Sequence, residues 1–487
     1  MNTSPKDSRT SNPSLFSNPR NQILFLILLS GFLFRVFVLG VLDGSNLFIV
    51  DETHYDEIAV HLTKTGNYGT DKEELISIRP PLYPYFLSKI YSIAGCPNYT
   101  AVRCCQIIIS LATVLCVYGT ARETGFLSRN SSLIAAGIFA LYPSLVIQNF
   151  FILTETLFTF FLVLVLWTSL RFLRTGSLWA IAFCGILIAL GSLTRSILWL
   201  SPIPLALFIL FIPNKNPVFS WKRRTSPAFL LLLCAGLTMT PWILRNTNLQ
   251  KTFTAIDCMS GRNLMMGNYE NTPLYRAWDA ISILPPNDWY TILKKDWSEK
   301  NTGSFDALSQ GMKDREAGKY AKEFIKSHPM LTLQRTVMKS LCFWQLERSI
   351  PSGVQQGFWG LDRFSGTAGK ILFLVTTVLV MFPFVLLFQC AIWGFFAVFS
   401  SKNIHAIALL LAVTLYFWVL HSIAFAHERY HLPLVPILIL FAVYLFQNRQ
   451  NALFHFQKSA YLIFPLFLSL LFIVFWGLEI YWSVKFI

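Results

Sequence analysis

The chain has 487 residues, of which 54% are hydrophobic, 15% aromatic and only 13% charged, with a net charge of +15 and a mean hydropathy of +0.51. Soluble globular chains carry about 25% charged residues, so an ordinary water-soluble domain is excluded, as are disordered, collagenous and small disulfide-framework classes. The apolar residues fall in long blocks, the mark of membrane-spanning helices, and the expected fold class is an all-α polytopic membrane protein.

Lys and Arg sit mainly in short connections, and no basic run is interleaved with aromatics, so membrane topology accounts for the basic excess and no nucleic-acid partner is indicated. None of the nine cysteines forms a Cys-x-x-Cys pair, and only Cys96, Cys258 and Cys342 could meet outside lipid.

In chain order, residues 1–20 are rich in Ser, Asn and Pro, carry Lys6, Arg9 and Arg20, and read as a disordered cytoplasmic tail. Eleven candidate spans follow, at 21–42, 100–121, 131–148, 150–171, 178–195, 197–213, 227–245, 370–399, 404–423, 432–447 and 460–482. Threaded from a cytoplasmic N-terminus, the inside connections hold Arg122 and Arg129, Arg171 and Arg174, Lys215 with Lys222, Arg223 and Arg224, Lys402, then Arg449 and Lys458. Every short inside connection is basic, as the positive-inside rule requires.

The expected plan is therefore the tail 1–20, helices one to seven over 21–245 with a first outer loop at 43–99, a mixed, mainly helical extracytoplasmic domain at 246–369, and helices eight to eleven over 370–487. Residues 53–64 and 82–94 are predicted as short helices along the membrane surface. The run FDALSQGMKDREAGKYAKEFIKSHP is predicted as an amphipathic helix with Ser304 as N-cap, stopping near Pro329. No solenoid repeat or inverted half is found.

With the topology fixed, the ionisable groups near membrane depth carry the functional signal. Asp51 and Glu52 follow the first span, Arg79 opens RPPLYP, and Glu155 lies past the hairpin between the third and fourth spans. Arg195 ends the fifth span, Arg245 ends the seventh in PWILRN, and Arg429 precedes the tenth in HERYHLP. All seven fall on the outer face, where the positive-inside rule depletes arginine. The plain alternatives are a solvated acid pair for Asp51 and Glu52, a helix-end hydrogen bond for Glu155, and snorkelling for Arg195 and Arg245. Arg79 is more pointed, because the prolines behind it fix the backbone and a guanidinium presents a planar fork to phosphate. Arg35, inside the first span, has no assignable role from sequence.

Asp51-Glu52, RPPLYP at 79–84, YP at 142–143 with TE at 154–155, LTR at 193–195, PWILRN at 241–246, GRNLMMGN at 261–268 and RYHLPLVP at 429–436 together resemble the GT-C glycosyltransferases. The similarity is to the protein O-mannosyltransferase and lipid A aminoarabinose transferase branch, which uses polyprenyl-phosphate sugars. The resemblance implies inverting transfer of a sugar from a lipid-linked donor to a protein, lipid or glycan acceptor on the outer face. It further implies Asp51 as general base, Glu52 in reserve or positioning substrate, and Arg79 on the donor phosphate. Arg195, Arg245 and Arg429 would be further phosphate or sugar contacts, and Glu155 would bind sugar or acceptor. The chemistry agrees: a phosphate leaving group needs one base for the acceptor and cations for the phosphate, and no obligatory general acid. No cofactor is implied, and a divalent metal is not indicated. The expected place is a bacterial inner membrane, with the endoplasmic reticulum as eukaryotic counterpart, where Asn98-Tyr99-Thr100 would be a glycosylation acceptor.

Two rival readings stand beside this one. His427-Glu428-Arg429-Tyr430-His431 spells H-E-x-x-H, a zinc-protease signature on a continuous helix, although Pro433 would break such a helix at its last turn and no third ligand is evident. A transporter or flippase of lipid-linked sugars would use the same arginines, without the paired halves that transporters tend to show. His54 and His61 are expected to be solvated surface histidines rather than metal ligands with Asp51, and His421 to sit at a helix end.

Overall fold

The computed structural model of this chain describes residues 18–42, 44–212, 221–364, 366–399, 401–450 and 460–485. The expected tail lies outside the described residues up to position 17, as do Lys6, Arg9, Lys215 and Lys458 and the side chains of Lys222 and Arg223.

The described residues form helices and connecting turns, with no strand among them. α1 (Pro19–Val41) is capped by Asn18 and is followed by α2 (Val50–Thr65) and α3 (Leu82–Ala94), the two short helices expected in the first long loop. α4 (Tyr99–Glu123) returns through the bundle, and α5 (Arg129–Leu141) and α6 (Pro143–Ile147) share the third apolar block. That block breaks because Pro143 has no N–H to continue the ladder and Tyr142 before it is extended. α7 (Glu155–Thr175), α8 (Leu178–Thr194), α9 (Pro202–Phe211) and α10 (Trp221–Gln250) complete the first half.

The second long segment contains α11 (Ser260–Met266), α12 (Trp289–Lys300), α13 (Gln310–Ser327), α14 (Pro329–Cys342) and α15 (Ser349–Gln355). α13 is the expected amphipathic helix, but its N-cap is Ser309, whose hydroxyl accepts from the Met312 amide, while Ser304 precedes a separate short turn. α16 (Gly366–Val398), α17 (Ile404–Ile423), α18 (Val435–Gln447) and α19 (Ala460–Lys485) close the chain.

Eight described helices are long and apolar enough to cross a membrane; the blocks expected at 178–195 and 197–213 give shorter apolar helices. The protein is an all-helical polytopic membrane protein. α18 sits centrally between α16, α5 and the 432–434 turn against α7, and every residue from Val435 to Tyr444 is buried. A Cβ at Gly394 would lie 1.9 Å from the Phe441 carbonyl, so α16 meets α18 at a spacing only glycine allows.

Buried polar groups fasten this bundle. Arg35, 1% exposed, donates to Ser110 and Asn149 side chains and to the Gly31 and Ala140 carbonyls at 2.7–3.2 Å, tying α1 to α4 and α5. That is the structural role its sequence did not disclose. Lys339 of α14 donates to the carbonyls of Ile423 and Ala424 at 2.8 and 3.0 Å and to Gly267 and Asn268 at 3.3 and 3.2 Å. Its ammonium lies at the negative end of α17 and docks the C-terminal end of α11 there, where a Cβ on Gly267 would lie 1.8 Å from the Ala424 carbonyl. Replacing Lys339 with Met strands these carbonyls in a dry junction. We expect a loss of about 2 kcal/mol, read as a lower thermal midpoint in detergent with retained helical circular dichroism.

Candidate functional site

The site end of the bundle gathers the two long segments over the starts of α4 and α7. Asp51 occupies the first turn of α2 and holds two guanidiniums: Arg79 Nη2 donates to Oδ1 and Arg429 Nη2 to Oδ2, each at 2.6 Å. The carboxylate is about a quarter exposed, at 26%. Burial alone would raise its pKa, but the charges and hydrogen bonds of Arg429 and Arg79 outweigh it and hold the group well below the usual carboxylate range.

Local structure explains why these side chains converge. The two prolines after Arg79 set the chain into α3, and the Tyr68 hydroxyl donates to the Arg79 and Pro80 carbonyls at 3.0 and 3.1 Å, fixing that backbone. Arg429 lies in a short 3-10 turn (Glu428–Tyr430) whose start is set by His427 Nδ1 accepting the Arg429 amide. Nε of Arg429 is buried and has no hydrogen-bond partner among the described residues.

His54, one helical turn after Asp51, accepts from Arg79 Nε at 3.1 Å through Nδ1, so its ring proton resides on Nε2. Burial, and then the Arg79 charge, lower His54 to about 4. It is therefore a neutral, half-buried member of the cluster and not the solvated histidine the sequence suggested; His61 is buried, 3.2 Å from Asp71.

Glu155 begins α7, where the helix dipole favours an anion, and pairs with Arg195 at 3.1 Å. The Arg195 guanidinium lies over the rings of Phe158 and Tyr430 at 5.6 and 5.3 Å, so this ion pair adjoins the Arg429 turn.

Two expected site residues do other work. Glu52 is 2% exposed, and its oxygens accept the backbone amides of Phe48, Ile49 and Ile152 at 2.9–3.3 Å. It staples the start of α2 to the 150–152 segment and faces away from the Asp51 arginines. Arg245 donates to the Ile76 and Tyr68 carbonyls at 2.5 and 3.3 Å and lies 4.6 Å over Trp242. It clamps the first loop onto α10.

The structure adds residues that sequence reasoning passed over. Arg262, within GRNLMMGN, is on α11 over the Trp289 ring at 4.9 Å, with its Nε buried and unpartnered among the described residues. Its field reaches Arg79, Asp314 and Asp51. A Cβ on Gly261 would lie 1.8 Å from the Asp314 carbonyl, so the glycine before Arg262 sets how closely α11 packs on α13. Asp257 is a further buried carboxyl near Arg79 and Ser196, and burial pushes it up to about 6. The GRN motif was a usable signal for Arg262; Asp257 had none.

The H-E-x-x-H sequence does not form a metal centre. Residues 428–430 are a 3-10 turn, and Glu428 is occupied by the Ser349 amide. His431 is fully buried, with Nδ1 donating to the Phe343 carbonyl at 2.8 Å and Nε2 3.2 Å from Glu347. Among the described residues no group of three or more His, Cys, Asp or Glu side chains converges for a metal. All nine cysteines are free, so Cys96, Cys258 and Cys342 do not pair.

The family model of dolichyl-phosphate-mannose-protein mannosyltransferases matches residues 78–244, a segment holding Arg79, Glu155 and Arg195. The archaeal oligosaccharyltransferase AglB from Archaeoglobus fulgidus, solved with an inhibitory peptide and a dolichol-phosphate, superposes with a TM-score of 0.50 at 13% identity, covering 94% of this chain and 55% of that one. Its apo form gives a TM-score of 0.50 at 14% identity, with 92% and 54% covered. ArnT from Cupriavidus metallidurans gives 0.40 at 13% identity, with 88% and 78% covered. The chain thus spans about half the length of the oligosaccharyltransferases whose fold it shares. No curated protein sequence matches it. The GT-C resemblance carried by the sequence motifs is found again in the family match and the fold.

His54 provides a pH test. Its folded value of about 4 lies below the ordinary 6.5, so between those values the unfolded chain binds more protons and stability falls as pH falls. In His54→Gln that contribution is absent, and the decline of the thermal midpoint from pH 6.5 to pH 4 is expected to be shallower than in the parent.

Proposed function

We propose that this protein is a membrane glycosyltransferase that moves a sugar from a polyprenyl-phosphate donor to an acceptor hydroxyl at the outer face of the membrane, with inversion at the anomeric carbon. The observation that carries this reading is Asp51 held between Arg79 and Arg429 at 2.6 Å each. The GT-C-like fold and the dolichyl-phosphate-mannose family match over 78–244 support it.

The chemistry follows from the charges. In the resting arrangement Asp51 is a poor base, because two guanidiniums stabilise its charged form. A donor phosphate competing for Arg79 and Arg429 draws those cations from the carboxylate and raises its proton affinity. Nε of Arg429 and Nε of Arg262 are further donors for the phosphate oxygens. The base is thus activated only when the leaving group is in place. Asp51 then takes the acceptor hydroxyl proton as its oxygen attacks the anomeric carbon, the bond to the phosphate breaks, and the negative charge left on the phosphate is held by the arginines. Glu155, fixed by Arg195, is placed to receive a sugar or acceptor hydroxyl. All parts of this step are side chains, and no cofactor is required.

The preferred setting is a bacterial inner membrane with the site facing the periplasm, since a lipid-linked donor is needed where nucleotide sugars are absent. A protein acceptor is one option within this reading, alongside lipid and glycan. A flippase would share the phosphate contacts but not the need for a base.

The test uses full-length protein in proteoliposomes with a polyprenyl-phosphate sugar and a candidate acceptor. Asp51→Asn is expected to lower product formation by about a thousandfold while donor binding is retained or tightened, because two arginines are released. Wild-type turnover by Asp51→Asn removes Asp51 as base, and donor movement between leaflets without covalent product favours the flippase. Arg79→Ala is expected to weaken donor binding at least about tenfold; unchanged affinity removes its phosphate role.

A further inference from the structure

One face of α2 cradles Arg79. Asp51, His54 and Tyr55 stand at i, i+3 and i+4 of that helix and so point the same way. Asp51 Oδ1 accepts from Arg79 Nη2 at 2.6 Å, and His54 Nδ1 accepts from Arg79 Nε at 3.1 Å. The guanidinium carbon lies 5.1 Å from the centre of the Tyr55 ring, which is itself buried and held edge-on against Tyr83 at 5.3 Å. Nη1 of Arg79 has no hydrogen bond among the described residues.

These three contacts differ in what they do to the charge. Asp51 neutralises the guanidinium, and a second anion can reach it only by competing for the same nitrogen end. His54 and Tyr55 hold Arg79 with a neutral acceptor and a ring face, so they leave its charge available. Burial, together with the charges of Arg79 and Arg262, keeps the imidazole neutral against the pull of Asp51. A carboxylate at position 54 would rival the phosphate for Arg79, and a cation there would repel Arg79. The stem of the side chain needs no movement, because the Tyr68 hydroxyl fixes the Arg79 and Pro80 carbonyls.

We propose that His54 is the positioning residue of Arg79: its Nδ1 anchors Nε while the Nη end of the guanidinium leaves Asp51 for a phosphate oxygen of the lipid-linked donor. The inference rests on the transferase reading of the Asp51 cluster. It adds a division of labour within one side chain, in which Nε is the fixed point and the Nη nitrogens are exchanged. Without that anchor, a guanidinium released by Asp51 keeps only the Tyr55 face and must be ordered by the donor itself, which costs affinity.

The experiment titrates undecaprenyl phosphate into full-length protein in phosphatidylcholine nanodiscs and reads the bound fraction by native mass spectrometry. His54→Leu removes the acceptor at nearly constant size and charge, and is expected to weaken binding about tenfold. His54→Asn places an oxygen where Nδ1 stood and is expected to recover most of that loss. In an Arg79→Ala background His54→Leu is expected to cost nothing further, since no guanidinium is left to hold. Should His54→Leu fail to fold, His54→Ala takes its place in each comparison. Parental affinity in His54→Leu, equal weakening by Leu and Asn, or a full further loss in the Arg79→Ala background overturns the proposal; the last outcome would mean that His54 meets the donor directly. If Arg79→Ala weakens binding and His54→Leu does not, this inference falls and the transferase reading stands. Unchanged binding in Arg79→Ala removes the phosphate role of Arg79 and this inference with it.

Discussion

The pairing of Asp51 with Arg79 and Arg429 is the interaction on which the site end of this protein depends. Its members are 28 and 378 residues apart in sequence, so it joins the first loop to the last part of the bundle across a single carboxylate. A carboxylate there would resist ionisation by itself, and each arginine would be an uncompensated cation beside the others. Together they are stable, and the compensation uses one nitrogen of each guanidinium. The remaining donor capacity, including the unpartnered Nε of Arg429, makes a structural bridge usable as a binding site.

The cations of this chain divide into two kinds. Arg35, Arg245 and Lys339 give their protons largely to neutral oxygens, chiefly backbone carbonyls, and act as fasteners: α1 to α4 and α5, the first loop to α10, α14 to α17. Arg79, Arg195 and Arg429 give theirs to Asp51 or Glu155. An ion pair of the second kind can be exchanged for another anion at modest cost, because one charged acceptor replaces another. A carbonyl contact of the first kind cannot be surrendered without stranding a buried oxygen. This difference separates the arginines suited to a phosphate from those that build the frame.

Much of this was legible from the chain. The apolar blocks dictated helices because a backbone in lipid must satisfy its own hydrogen bonds, and each expected block contains one. The arginines beside Pro80 and in the 429–436 run stood out because topology gave no reason for them. Other features were not legible. Glu52 is adjacent to Asp51, yet the helical rotation between neighbouring residues turns it toward the 150–152 amides and away from the arginines. His54 read as a surface histidine until the fold brought Arg79 to it. Arg245 was expected to end a span, but α10 runs on to Gln250, and the carbonyls it meets belong to a loop about 170 residues earlier. Asp257 carries no motif, and its raised pKa comes from burial that only packing creates.

The sequence by itself therefore determined that this is a helical membrane protein, roughly where its apolar helices run, and that a set of charges unexplained by topology collects at one end of the bundle, because hydropathy and proline placement act locally. The tertiary structure alone decided which of those charges touch. Contacts between residues hundreds of positions apart depend on how α2, α11 and the 428–430 turn pack against one another, and no local pattern encodes that geometry. The same packing resolved the H-E-x-x-H run into a buried fastening and left Asp51 with both its arginines.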